Sequence, residues 1–337
     1  MNTEKLDASR RVAIPMGHLP IFRTQIAIES GVERRLLFKT WGGIGDQICA
    51  EPTLRYALKM FKDCEISLAS EIPELFRHLT FKKVYNLKEE TPNYNRFFCF
   101  ETITPPDESN LVWQFFSHML TNCVDFPSMC ALRQQLPVED KEIILRPPLL
   151  TRNIPGLVIS EADKYVLVHA GKHWQSKTFP KTFWDRVLAG LQVRGIKPVL
   201  IGADTDDNRG TVDVNAEGCL DLRNKLTIAE SIWLCQKAKV LITNDSSPMH
   251  MAASGDAWIF YFASCKHPDL ITHWRNGQWQ WREENLSLGG IWDHVSYCPN
   301  QAQEVSAEFV PPEMLASWLP DPSSVCDRVR KAMDETN

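Results

Sequence analysis

The stretch KVLITNDSSPMHMAASGDAWIFYFA, residues 239–263, carries the reading of the fold. Seven residues of strand-like character (239–245) end on Asp245 and run into two serines and a proline. A short helical segment follows (246–255), and a second apolar strand runs over 257–263. Short apolar runs bounded by turn signals and joined through a helix predict parallel strands buried on both faces. The same pattern continues upstream. KYVLVHAG (164–171) and KPVLIGAD (197–204) read as strands, and 181–194 reads as a helix with Phe183, Val187, Leu188 and Leu191 on one face. Thr227 and Glu230 have the spacing of a capping box, which predicts a helix through Ala238. Strands that alternate with helices predict a doubly wound α/β unit.

A second alternating region lies before it. RLLFKT (35–40) reads as a buried strand, followed by the turn of Gly42, Gly43 and Gly45. A helix comes next, with Ile48, Leu54, Leu58 and Phe61 on its apolar positions, and Pro52 predicts a late start or a kink in it. Strands are predicted at 65–70, 82–87 and 95–100, and a long helix over 111–123. The proline-rich stretch 146–163 reads as a boundary. The expected organisation is an N-terminal arm (1–34), a first Rossmann-like domain (35–155), a second (156–311) and a helical tail (312–337). The arm reads as either a hairpin or irregular packing.

Composition narrows the class. The 337 residues are 44% hydrophobic and 23% charged, ordinary globular values. The net charge of −5 lacks the basic footprint of a nucleic-acid-binding domain. There is no run of 18 apolar residues and no apolar signal-peptide core, so the expected location is the cytoplasm. Ten cysteines are scattered without a CxxC pair or a neighbouring Cys/His set, so reduced packing thiols and no metal are expected.

In open parallel sheets ligands bind where strand ends turn into helices. Two junctions have suitable residues. At TWGGIGDQI (40–48), Gly43 and Gly45 allow close approach of a ligand, and Asp46 sits at the helix start. The alternative is a tight corner with Asp46 as its cap. The third glycine of a dinucleotide fingerprint is missing, which counts against a nicotinamide dehydrogenase. At the 245–250 junction, Asp245, Ser246 and Ser247 precede Pro248, so free backbone N–H groups and hydroxyls would suit a phosphate. The alternative there is a capped buried helix with His250 satisfied in the core. Lys172, His173, Lys177 and Lys181 follow the 164–171 strand and would neutralise a diphosphate.

With these residues in order, the chain resembles glycosyltransferase family 9, the heptosyltransferases of the GT-B fold. The likeness rests on the GIGD turn with Pro52 and Arg55, on Lys177, and on the segments 199–204, 220–238 and 240–253. The resemblance implies two Rossmann-like domains facing a cleft, a nucleotide-sugar donor (an ADP-sugar by family default) and no metal or other cofactor. It implies Asp46 as general base, Lys177 on the donor diphosphate, and Asp245, Ser246, Ser247 and His250 in the donor site. Asp206 corresponds more loosely to an acidic residue near the nucleoside. Ser247 stands where the family commonly has glycine. The expected acceptor is a glycan hydroxyl, and the reaction is inverting transfer. Alternatives are a GT-B enzyme acting on a modified nucleic-acid base and a catalytically silent module that binds sugar nucleotides or partner proteins. The tryptophans at 274, 279, 281 and 292 read either as packing or as stacking platforms.

Overall fold

The computed structural model of the chain describes residues 24–29, 35–40, 42–90, 97–99, 121–132, 134–148, 154, 156–157, 165–172, 175–204, 210–264, 266–290 and 312–335. Two sheets organise it. The second sheet is the more regular and consists of β6 (Val166–His169), β7 (Pro198–Leu200), β8 (Leu220–Asp221), β9 (Val240–Asn244), β10 (Trp258–Phe262) and β11 (Glu283–Asn285). All its ladders are parallel, and the spatial order is β8-β7-β6-β9-β10-β11. Numbered from its own first strand this is 3-2-1-4-5-6, the Rossmann order, with the topological switch between β6 and β9.

The two-residue period of a strand sends alternate side chains to opposite faces. Val166, Val168, Val240, Ile242, Phe260 and Phe262 lie in one buried cluster, whereas Leu167, Leu241, Ile259 and Tyr261 lie in another. The first face is covered by α3 (Lys181–Val193) and, at the chain's end, by α7 (Pro322–Glu335), with Trp184 fully buried against Phe262. The opposite face is covered by α4 (Ile228–Lys237) and α5 (Ser247–Ala252). Each large apolar side chain so buried contributes roughly 1.5–3 kcal/mol. A second tail helix, α6, spans Pro312–Ser317, so the tail is the broken helical stretch its sequence suggests.

The first sheet is mixed. Strands β2 (Arg35–Thr40), β3 (Glu65–Ser70) and β4 (Val84–Asn86) are parallel. Strand β1 (Thr24–Glu29) pairs antiparallel with the free edge of β2, and β5 (Phe97–Cys99) pairs antiparallel with β1. Residues 24–29 of the expected N-terminal arm are therefore a strand of this sheet. Residues 1–23, the boundary residues 149–153 and residues 111–120 of the helix expected over 111–123 lie outside the described residues, and residues 121–123 are not helical, the chain there being held by turns ahead of a separate helix from Asp125. Helix α1 (Ile44–Met60) follows β2 and contains Pro52, so the helix begins ahead of the proline and not after it. It is oriented by buried Glu51, which accepts from Arg55 Nε (3.0 Å) and the backbone N–H of Ile144 (2.9 Å) and lies 3.2 Å from His78 Nε2. The short helix α2 (Asp125–Ala131) packs beside α1. One hydrophobic cluster runs through both sheets, from Leu36 and Phe38 to Leu167 and Leu241.

The Thr227/Glu230 capping box opens α4 as its spacing suggests, with Glu230 N–H donating to Thr227 Oγ1 (3.2 Å) and Thr227 N–H to Glu230 Oε2 (2.8 Å). We expect Thr227→Ala to lower stability by about 1 kcal/mol. Because the two bonds are reciprocal, Glu230→Ala should add less in that background than in wild type. Fully additive losses in urea unfolding would contradict the box.

Candidate active site

Strands β6 and β9 are paired up to His169 and Thr243, their following helices lie on opposite faces of the sheet, and the residues at their carboxyl ends are tied together. Thr243 Oγ1 and Ser246 Oγ lie 3.0 Å apart, and both lie within 3.2 Å of His169 Nδ1. Burial pulls the His169 pKa down to about 4, so a neutral imidazole holds this corner. Asn244 Nδ2 donates to the carbonyls of Gly171 (3.0 Å) and Lys177 (2.6 Å). A Cβ on Gly171 would lie 2.4 Å from Asn244 Oδ1, so only glycine allows this approach. The loop after β6 is thereby held by its main chain against the end of β9.

That grip delivers the Lys177 ammonium to Asp245. The pair measures 2.5 Å, and both side chains are largely buried. Burial alone would raise the Asp245 pKa. The positive charges of Lys177 and Lys266 overcome it and hold the carboxyl at about 2. Lys266 is half-buried, and its desolvation lowers its pKa while Asp245 opposes that shift. Two ammonium groups and one carboxylate therefore converge past the carboxyl ends of β9 and β10. Ser246 is the N-cap residue of α5, Ser247 is its first residue and Pro248 its second, and both serines are half-buried.

The other junction comes to meet this one. Gly43, not Asp46, is the N-cap residue of α1, and Gly42 N–H donates to Glu71 Oε2 (2.9 Å). Asp46 lies in the first turn of the helix and is exposed. A Cβ added to Gly45 would lie 2.9 Å from His250 Cδ2 and 3.4 Å from Ser247 Cα. The start of α1 is thus seated directly on the start of α5, and glycine at 45 permits the contact. His250 lies with Nδ1 2.8 Å from His273 Nε2 and 3.5 Å from Cys49 Sγ.

Of the residues expected at a site, Gly43, Gly45, Asp46, Lys177, Asp245, Ser246, Ser247 and His250 come to this one region. Asp206 and His173 lie outside the described residues. Lys181 is taken up on the surface of α3 by Asp185 (2.6 Å). Sequence reasoning missed Lys266, although it follows β10 as Lys177 follows β6, so the same strand-end rule would have found it. It also treated all the cysteines as packing residues. Cys49 and Cys123 instead gather with His250, their ligand atoms within 4.8 Å of one another. The tryptophan-rich segment packs: Trp274 and Trp279 face each other at 5.7 Å, and Trp281 lies against Arg275 and Arg282. Trp292 is outside the described residues.

A Rossmann-ordered sheet with cationic side chains and a helix start at its switch point defines a doubly wound α/β chain with charge gathered where such sheets bind ligands. The comparisons give the family. A model of glycosyltransferase family 9 (heptosyltransferase) matches residues 75–258, more than half the chain, and the chain belongs to that family. The match includes Lys177 and residues 245–250 and begins after Asp46. The fold is shared with a family 9 glycosyl transferase from Veillonella parvula DSM 2008, at 12% identity, TM-score 0.58, 88% of this chain and 96% of that one. It is shared also with the iron-containing dodecameric glycosyltransferase TibC from enterotoxigenic E. coli H10407, at 14% identity, TM-score 0.60, 88% of this chain and 75% of that one. TibC in complex with ADP-D-beta-D-heptose superposes at TM-score 0.57, with 13% identity over 88% of this chain and 74% of that one. The α/β fold is thus that of the GT-B heptosyltransferase structures. A comparison with curated proteins gives no match. Among the described residues no helix is long and apolar enough to cross a membrane.

The buried Lys177–Asp245 pair has a measurable consequence. Lys177→Met leaves Asp245 buried with Lys266 as its remaining cationic neighbour, and we expect a loss of about 2–4 kcal/mol in urea unfolding. Asp245→Asn in the Lys177→Met background should recover part of that loss. Strictly additive effects would show that the two groups do not interact.

Proposed function

We propose that the chain is an inverting glycosyltransferase that moves a sugar, heptose by family default, from a nucleotide-sugar to an acceptor hydroxyl. The observation that carries this reading is the seating of the Asp46 turn on the start of α5, beside Lys177 and Lys266 at the switch point. The two sheets are taken as two domains, with the donor on the second and the acceptor on the first.

The chemistry follows from the groups present. A departing nucleoside diphosphate carries negative charge, which must be stabilised as it develops. Lys177 and Lys266 supply positive charge there, and the hydroxyls and N–H groups of Ser246 and Ser247 supply hydrogen bonds. A donor phosphate would compete with Asp245 for the Lys177 ammonium. Asp245 then serves to hold that lysine in place before the donor arrives. His250 contributes by supporting the helix start. Asp46, exposed at the opposite wall, is placed to take the acceptor's proton as general base, so that attack comes from the face away from the leaving group. With two lysines in this role, the transfer step is proposed to need no metal. An ADP-sugar is the proposed donor, by analogy with the ADP-heptose bound by TibC. A glycan is the proposed acceptor and the cytoplasm the proposed location.

Asp46→Asn tests the reading. It preserves the residue's size but cannot accept a proton. Donor affinity measured by calorimetry should stay within about twofold, because the diphosphate is held by the second sheet, while turnover should fall about 10²–10⁴-fold. Since Gly43 is the N-cap residue, the change should alter stability by less than about 1 kcal/mol. Wild-type turnover in Asp46→Asn would overturn the assignment, and a wild-type chain that binds donor without transferring sugar would indicate a silent module.

A further inference from the structure

Behind the candidate active site, four side chains from four separate segments point at one another. Cys49 comes from the second turn of α1, Cys123 from the segment before α2, His250 from α5 and His273 from the turn after β10. The Sγ atoms of Cys49 and Cys123 and a ring nitrogen of His250 lie within 4.8 Å of one another. His250 Nδ1 is 3.5 Å from Cys49 Sγ and 2.8 Å from His273 Nε2. Four ligands around one ion at bond lengths of about 2.0–2.3 Å would stand roughly 3.3–3.8 Å apart. The 3.5 Å between Cys49 Sγ and His250 Nδ1 falls in that range, and the 2.8 Å between His250 Nδ1 and His273 Nε2 lies about half an ångström below it.

We propose that Cys49, Cys123, His250 and His273 bind one divalent transition metal ion of the zinc class, as a closed structural site. Three further observations support it. First, His273 Nδ1 lies 3.0 Å from Glu283 Oε1, and both side chains are fully buried. A carboxylate behind the far nitrogen is the usual support of a metal-bound imidazole, because it fixes the tautomer that leaves Nε2 free as a ligand. Second, the scaffold is tied down on both sides of the cluster. Cys123 N–H donates to the Leu270 carbonyl (2.8 Å), Asn122 Nδ2 donates to the carbonyls of Asp269 and Thr272 (2.9 Å each), and His273 N–H donates to Glu283 Oε2 (3.1 Å). Third, two thiols and two imidazoles are the donor set that favours tetrahedral zinc, or iron in the same geometry.

Such an ion would fasten α1 and the 122–125 segment of the first sheet's half to α5 and the 270–273 segment of the second. Cys49 lies one turn from Asp46 and His250 one turn from Ser246. The ion would therefore set the spacing between the two junctions without touching substrate. Four protein ligands leave no open position for a nucleophile, so the inference is independent of the transfer chemistry and of whether that reading holds.

The test needs no donor. Untagged full-length protein, grown with zinc and iron supplied, is analysed by elemental mass spectrometry and intact mass. We expect about one zinc or iron ion per chain, and a chain mass showing both thiols reduced. Cys49→Ser, Cys123→Ser and His273→Gln should each lower metal content at least about tenfold, whereas Cys64→Ser should retain it. Cobalt(II) added to the chelator-treated wild type should give the thiolate charge-transfer and tetrahedral d–d bands, and this arm serves if a cysteine variant does not fold. Wild-type protein that holds no metal and develops no cobalt bands would overturn the proposal. So would metal retained in both cysteine variants, or a mass two hydrogens lighter with a Cys49–Cys123 disulfide in the peptide map.

Discussion

The structure depends on the close approach of two helix starts, α1 at Gly45 and α5 at Ser247 and His250. A β-carbon at residue 45 would lie inside the contact distance of the His250 ring, so the approach exists because the residue is glycine. Everything around it serves to bring the two starts together. β2 and the Gly42–Glu71 bond aim α1, buried Glu51 fixes its rotation, and the end of β9 presents α5. The hydrophobic cluster that passes through both sheets makes the approach a property of the core and not of a surface loop.

Electrostatics at this seam are arranged in advance. Asp245 would be costly to bury alone, and it is ionised because Lys177 and Lys266 stand beside it. The lysines in turn are held where an anionic ligand would enter, Lys177 through both its ammonium and its main-chain carbonyl. A site built this way need not gather its charges when the ligand arrives, which is the basis of electrostatic preorganisation. Asp46 differs in being exposed, in the first turn of α1.

Much of this was legible in the sequence, because the signals were local. The run 239–263 gave strand, helix and strand within three residues of their bounds, and the capping box at Thr227 formed both its bonds. The helix starts and strand ends that gather Asp46, Lys177 and residues 245–250 follow from the general rule for parallel sheets. What was not legible depends on distance along the chain. β1 occupies the edge of β2 by antiparallel pairing, which no periodicity announces. Cys49 and His250 are separated by 201 residues, so spacing rules for metal ligands had nothing to register. Lys266 was legible and overlooked, since it lies past a strand end in the same sheet as Lys177. Asp46 as a helix cap was a fair local reading, but Gly43 takes the N-cap position because the helix begins three residues sooner.

Whether the two helix starts form one site is open to direct measurement by hydrogen–deuterium exchange with and without ADP-heptose. If they do, adding the donor should slow exchange in peptides covering 42–50 and 244–252 together, along with the Lys177 loop. Donor at about 100 times its Kd should also raise global stability by about 2.7 kcal/mol. Protection confined to the second sheet's loops, with residues 42–50 exchanging as in the free chain, would contradict the shared site.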